Sequence, residues 1–327
     1  MAALIETMVS ANDVVPWHKQ GKVLSGYPSI DVMYDNSGLD WMVEKRSLLY
    51  KDSNGNLVDS GKFGIVRDKD DAFFGVSSDR YVLYQNKDAF DWCKQFTDTG
   101  LWDMETAGAL KGGKVCWALL NQGSAAVGGV DELKNYLLLN WSHDGSQSVQ
   151  VGRTSIRVVC NNTLKFALSK DKDTITSVSH NSRLKYRLDQ ISKIYLDNEK
   201  EFDNQLENFE KMFRKRLAKF QQEEYVVRTA EDITNLVADS EELRDNSRAE
   251  KRFNKIKDDL TYCVNNGTGI ATYGLRQTAW GTFNGVEEYI EKWRSPGRIK
   301  DRGSDVLFGD GNRLINNAYN RMLALVG

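Results

Sequence analysis

The chain has 327 residues, of which 40% are hydrophobic and 28% charged, and its net charge is −2. That length serves one large core or two ordinary domains, and the composition is that of a globular protein rather than a disordered or fibrous one. No apolar run approaches the roughly 18 residues that span a bilayer, and Met1–Ser10 lacks a basic flank and is interrupted by Glu6, so neither signal peptide nor anchor is expected and a cytoplasmic location follows.

The first half reads as β-rich. Asn54-Gly55 marks a tight turn, because both residues tolerate positive φ. Strand-like runs follow at Gly64–Val66, Phe73–Val76, Tyr81–Tyr84, Lys114–Leu120 and Tyr136–Trp141, each bounded by polar or turn residues. One helix is expected from Lys87 to Phe96, where Phe90, Cys93 and Phe96 recur at helical spacing. Gly108–Lys114 carries the glycine and lysine spacing of a phosphate loop. Val115 stands where that loop needs Ser or Thr, so a Gly-rich turn entering a strand is the better reading. Ser148–Cys160 alternates and ends apolar at Val158-Val159.

After residue 183 the period becomes helical. Leu188, Tyr195, Phe202 and Phe209 recur every seven residues, interleaved with Leu206, Phe213 and Phe220, which predicts one long amphipathic helix over 184–222. Its stripe packs on the protein's own core or on a second subunit. Further helices are expected at 229–262, with Thr229 as N-cap, and at 281–294 and 311–326. Cys263–Gly274 reads as a loop. The fold class is therefore α+β: a β-rich domain over 1–183 with a mostly antiparallel sheet, then a helical region over 184–327.

The polar residues concentrate between His143 and Arg183. His143-Asp144-Gly145-Ser146 follows a predicted strand, and His180 sits in Ser179-His180-Asn181-Ser182-Arg183. The third histidine, His18, lies in Pro16-Trp17-His18-Lys19-Gln20-Gly21. On a strand Arg153, Ser155 and Arg157 share one face, where two guanidinium groups can grip phosphate or carboxylate. Asn161, Asn162 and Thr163 add amides and a hydroxyl. Cysteine hydrolysis would use Cys160 as nucleophile, His143 or His180 as base, and Asp144 or Asn161 to orient it. No H-E-x-x-H or H-x-x-x-H spacing announces a metal site, and no pattern identifies a cofactor. Each histidine also has the plain reading of a satisfied structural hydrogen-bonder. Cys93, Cys116 and Cys263 are expected to be buried free thiols.

Charge is unevenly spread. Gln150–Lys193 holds nine basic residues and three acidic ones, with Arg183, Lys185 and Arg187 at the predicted helix start and the aromatics Phe166 and Tyr186 nearby. A second basic run is Lys292, Arg294, Arg298, Lys300 and Arg302. Cationic surfaces with stacking aromatics are how sequence-tolerant single-strand binders work.

These residues resemble a known family, the phage/plasmid-like proteins (domain of unknown function 932). The resemblance rests on Pro16-Trp17-His18, Trp41, Val66-Arg67, Gly75-Val76-Ser77, Arg80-Tyr81, Gln85-Asn86 and Gly112-Gly113. It continues through His143-Asp144-Gly145-Ser146, Arg157–Leu164, His180, Ala279-Trp280-Gly281 and Leu307-Phe308-Gly309. The chain departs at Asn161, where the family favours glutamine, and at Ser179, where it favours arginine. The resemblance implies a protein of phages, prophages and plasmids and brings no established activity. Three functions are carried forward. The first is a DNA-associated protein in recombination, single-strand annealing or replication. The second is a hydrolase or nuclease centred on His143, Asp144, Cys160 and His180. The third is a non-catalytic protein that binds a host partner through its helical half. A homo-oligomer through the 184–222 helix is a further expectation.

Overall fold

The computed structural model describes residues 5–13, 21–157, 162–164, 175–197, 201–238, 240, 246–295, 305–306 and 309–327. Its architecture is α+β, with a β-rich first half and a helical second half. The chain divides into two compact units. One comprises residues 1–123, 136–153 and 173–199; the other comprises 124–135, 154–172 and 200–327. The division therefore differs from a single break at 183.

The first unit contains β1 (Ile5–Ser10), β2 (Lys22–Val23), α1 (Ile30–Ser37), β3 (Val43–Lys51), β4 (Leu57–Arg67), β5 (Phe73–Ser77), α2 (Asn86–Thr97) and β6 (Asp103–Leu110). The strands β7 (Val115–Val127), β8 (Asp131–Ser142) and β9 (Val149–Arg157) continue the sheet, followed by β10 (Asn162–Leu164) and β11 (Ile175–Val178). The large sheet has the order β10-β9-β8-β7-β6-β1-β2, with β11 also paired to β9. A separate three-stranded sheet runs β3-β4-β5. The registered pairs are antiparallel except β1 with β2. Lys111, Gly112 and Gly113 all take positive φ, making the Gly-rich stretch the hairpin turn between β6 and β7. Tyr81–Tyr84, expected as a strand, joins no ladder. Its one strand-like backbone bond is from Val82 N to His180 O, at 3.0 Å.

The apolar residues of α2 explain its position. Phe90, Cys93 and Phe96 are buried with Ala89 and Trp92, and Trp92 Nε1 donates to Leu188 O on α3 (Leu184–Asp197) at 3.0 Å. Each such large apolar side chain contributes about 1.5–3 kcal/mol on burial.

The second unit is built from α4 (Glu201–Arg214), α5 (Lys219–Thr234), α6 (Ser247–Asn266), α7 (Ala279–Glu288) and α8 (Asp310–Val326), with one π-helical turn at Tyr289–Trp293. Phe209, Trp280, Phe283 and Tyr319 meet at its centre. The loop end of the β7–β8 hairpin belongs here. Val127 and Leu133 enter this core, and buried Asp131 accepts Trp280 Nε1–H at 2.7 Å.

Two helix expectations are corrected. The periodic stretch 184–222 is not one helix: α4 ends at Arg214 and α5 starts at Lys219. Between them Leu217 N donates to Gln277 O and Lys215 O accepts Ala279 N, so remote backbone replaces the helical ladder. Phe220, assigned to the stripe, is 67% exposed, whereas Leu188, Tyr195 and Phe209 are buried in the chain's own core. Likewise 229–262 is interrupted after Thr234. Thr229 lies inside α5, its hydroxyl donating to Tyr225 O, and Asn246 caps α6 instead.

Candidate functional site

His143 opens the polar turn that follows β8 and is buried in the first unit. Its Nε2–H donates to Asn86 Oδ1 at 2.9 Å, and Trp141 Nε1–H donates to the same oxygen at 3.0 Å. Asn86, the first residue of α2, donates through Nδ2 to Leu39 O and Trp41 O at 3.1 and 3.2 Å. All four hydrogen-bonding positions of the amide are thus used. Asn86 is placed by its neighbour Gln85, whose side chain brackets Val43 by accepting from its N–H and donating to its C=O.

The imidazole is edge-on to Trp41 and stacked on Phe74, with centroids 5.1 and 6.1 Å away. The same two rings hold the Arg67 guanidinium at 5.1 and 5.5 Å. Arg67 binds Asp70 with two parallel bonds of 2.8 and 2.7 Å and Glu6 at 3.0 Å, an arrangement that suits a planar fork. Asp70 and Glu6 raise the Arg67 pKa. Burial, then the charges of His180 and Arg67, push the His143 pKa down to about 3. His143 is therefore neutral at pH 7, with its proton on Nε2. Gly113 closes this cluster: a Cβ there would stand 2.7 Å from Arg67 Nη1. Gly75 is needed for a different close approach, to Asp144 O, which a Cβ would meet at 2.8 Å.

His180 lies beside this core. Its Nδ1 donates to Val82 O at 3.0 Å, and its ring stacks on Tyr81 at 4.6 Å. Burial lowers its pKa, against the carbonyl contacts with Val82 and Gln147 that raise it. Burial, then the Asp144 charge, raises the Tyr81 pKa. Asp144 itself is half-buried and accepts Ser146 N–H at 2.9 Å. His143 and His180 are thus neighbours, both neutral at pH 7, whereas His18 lies outside the described residues.

Arg153 is elsewhere in the first unit and buried. It donates to Gln122 Oε1 and Tyr195 O and lies over the Trp102 and Tyr195 rings. This is a core arginine, not one held out to a ligand. The backbone of β9 pairs with β10, Asn162 opposite Arg157. The side chains of Arg157, Asn162 and Thr163, and the whole of Cys160 and Asn161, are outside the described residues. Cys93, Cys116 and Cys263 are buried free thiols, their pKa values raised by burial. Among the described residues no three His, Cys, Asp or Glu side chains gather as metal ligands.

The predicted cations at the helix start are exposed. Arg183, Lys185, Tyr186 and Arg187 are all on the surface, with Tyr186 at 66%. Arg183 N–H donates to Asn181 Oδ1, turning the chain into α3. Arg183, Tyr186 and Arg187 share one helix face by their three- and four-residue spacing, opposite buried Leu184, Leu188 and Ile191. Lys185 reaches Asp88 at 2.8 Å. The first turn of α3 carries no acidic residue, so its cations oppose the helix dipole rather than complement it. The second basic run differs: Arg294 is buried against Asp305 and Asp310, Lys292 pairs with Glu288, and Arg298, Lys300 and Arg302 lie outside the described residues.

Sequence reading missed Asn86, Arg67 and Glu6 as partners in the His143 cluster. The available signal was the motif set itself: Trp41, Val66-Arg67, Gly75, Gln85-Asn86, Gly112-Gly113 and His143 converge here. No helix among the described residues is long and apolar enough to cross a membrane. A family model described as "Domain of unknown function (DUF932)" matches residues 73–317. No curated protein and no solved structure matches.

Proposed function

The chain belongs to the domain-of-unknown-function family DUF932, and on that premise we propose that it is a nucleic-acid-associated protein of mobile elements, contacting phosphates through the start of α3. The supporting observation is Tyr186, two-thirds exposed between the exposed Lys185 and Arg187, with Arg183 one turn earlier. Cations at a helix N-terminus cost the helix about 0.3–1 kcal/mol each at the surface. They and the free N–H groups together attract an anion. An exposed aromatic ring on the same face offers a base a stacking surface. With a net charge of −2, binding is local and strongly salt-dependent.

The test is fluorescence anisotropy of a labelled single-stranded oligonucleotide at low salt. Binding at micromolar protein is expected, and Arg183→Ala and Arg187→Ala should each lower the salt slope by about 1. No change in anisotropy at micromolar protein refutes the proposal. The hydrolase alternative has less support. A general base must exchange protons near the working pH, and the buried, depressed His143 is unsuited to that. No observation favours the host-partner reading.

A further inference from the structure

The sequence contains three Asn-Gly pairs, Asn54-Gly55, Asn266-Gly267 and Asn284-Gly285. Asparagine before glycine carries a latent reaction, because glycine has no Cβ to shield its backbone nitrogen from the neighbouring side-chain amide. The reaction needs two freedoms. The asparagine side chain must swing onto the next peptide, and that peptide's N–H must leave its hydrogen bond.

The fold grants these freedoms unequally. Asn284 is buried inside α7, and its Nδ2 donates to Trp280 O at 2.7 Å. A Cβ on Gly285 would stand 2.4 Å from Val264 Cα, so α6 pins that stretch of backbone. Asn266 is exposed but ends α6, with Nδ2 donating to Tyr262 O at 3.3 Å. Gly267 N–H is held by Cys263 O at 2.8 Å, and a Cβ on Gly267 would stand 2.5 Å from that oxygen. Asn54 differs on both counts. It lies in the turn between β3 and β4, where Asp52 N–H donates to Asn56 O and Gly55 N–H to Asp52 O, each at 3.0 Å. Asn54 is exposed, and its side-chain amide makes no hydrogen bond among the described residues. Gly55 sits at a φ of +85°, and a Cβ there would meet nothing within 4 Å. One backbone bond therefore holds Gly55 N, at an exposed tip where local opening costs least.

We propose that Asn54 is a self-modification site, at which the folded chain converts its own asparagine to an aspartyl or isoaspartyl residue. Gly55 N attacks Asn54 Cγ. The N–Cγ bond forms, the Cγ–Nδ2 bond breaks, and ammonia leaves with the proton of the Gly55 N–H. Water then opens the five-membered imide. Attack at Cγ gives the ordinary aspartyl link, and attack at the main-chain carbonyl gives the isoaspartyl one. Nothing is oxidised or reduced. Either product adds a negative charge beside Asp52, whose carboxylate accepts the N–H groups of Asn54 and Asn56 at 2.9 and 2.8 Å. The backbone and side chain of Asn56 hold the Asp52 pKa below its ordinary value, so the two carboxylates repel at neutral pH. The isoaspartyl product also lengthens the main chain by one carbon between the two strands.

The test incubates the full chain, folded and in guanidinium chloride, in mildly alkaline buffer. The three Asn-Gly peptides are followed by mass spectrometry after digestion, and an isoaspartyl carboxyl methyltransferase labels the β-linked product. In the folded chain the Asn54 peptide should gain the amide-to-acid mass difference at least about tenfold faster than the Asn284 peptide, with Asn266 also behind it. In denaturant the three rates should converge within a few-fold, because the residue pair is the same. Asn54→Gln, whose longer side chain closes the ring far more slowly, should abolish the fast mass gain and leave the circular dichroism unchanged. A folded-chain rate for Asn54 no higher than those of Asn266 and Asn284 overturns the proposal, as does a fast mass gain that survives Asn54→Gln. An Asn54 lead of the same size in denaturant overturns the assignment of its reactivity to the fold.

Discussion

Acidification should destabilise the first unit through His143. In the unfolded chain the imidazole has a pKa near 6.5, and in the fold burial holds it near 3. Between these values the unfolded state binds the extra proton and the folded state does not. This contribution to stability is therefore complete above pH 6.5 and is lost progressively as pH falls toward 3. Each pH unit in that window removes about 1.4 kcal/mol, so pH 5 costs about 2 kcal/mol relative to pH 7. His143→Gln removes the titration while keeping an N–H for Asn86 Oδ1. Urea unfolding of both proteins at the two pH values isolates the effect, since His180 and the carboxylates are common to both. The variant starts less stable at pH 7 but should lose about 2 kcal/mol less on acidification. Equal losses in the two proteins would refute the burial argument.

Three other outcomes follow from the same cluster and its surroundings. Asn86→Ala strands two buried donors and two carbonyls; at about 1–3 kcal/mol per unsatisfied group, thermal unfolding should register a loss of at least 3 kcal/mol. Gly113→Ala places a Cβ against Arg67 Nη1 at a φ of +88°, and chemical denaturation should show a cost of about 1–3 kcal/mol. Cys93 and Cys116, buried with raised pKa values, should react with a thiol reagent only at the rate of unfolding; immediate labelling of either in the native protein would contradict their placement.

Local sequence signals served well where the determining contacts are local. Phe90, Cys93 and Phe96 predict α2 almost to its ends, and Gly112-Gly113 reads correctly as a turn, because helical spacing and positive φ are written within a few residues. The break at 215–218 was not legible. Its backbone bonds go to Gln277 and Ala279, about sixty residues away, while the seven-residue apolar period runs across it unchanged. Arg153 reads as a ligand-binding arginine on strand alternation alone; its partners, Gln122 and Tyr195 O, are remote in sequence. For His143 the plain structural reading describes its hydrogen bonding, but nothing near residue 143 points to Asn86. The exposed face of α3 was visible as charge, and its geometry follows from the helical period.

The assignment of Ser124–Asn135 to the helical unit has a consequence for dissection. The chain passes between the units at five points, so no single cut releases either one intact. A fragment starting at residue 184 would lose Asp131 from beneath Trp280, along with Val127 and Leu133. The bond from Asp131 to Trp280 spans 149 residues, so synthesis must pass residue 280 before the helical core can close around it. Truncation mapping on this protein would report broken cores rather than separable activities.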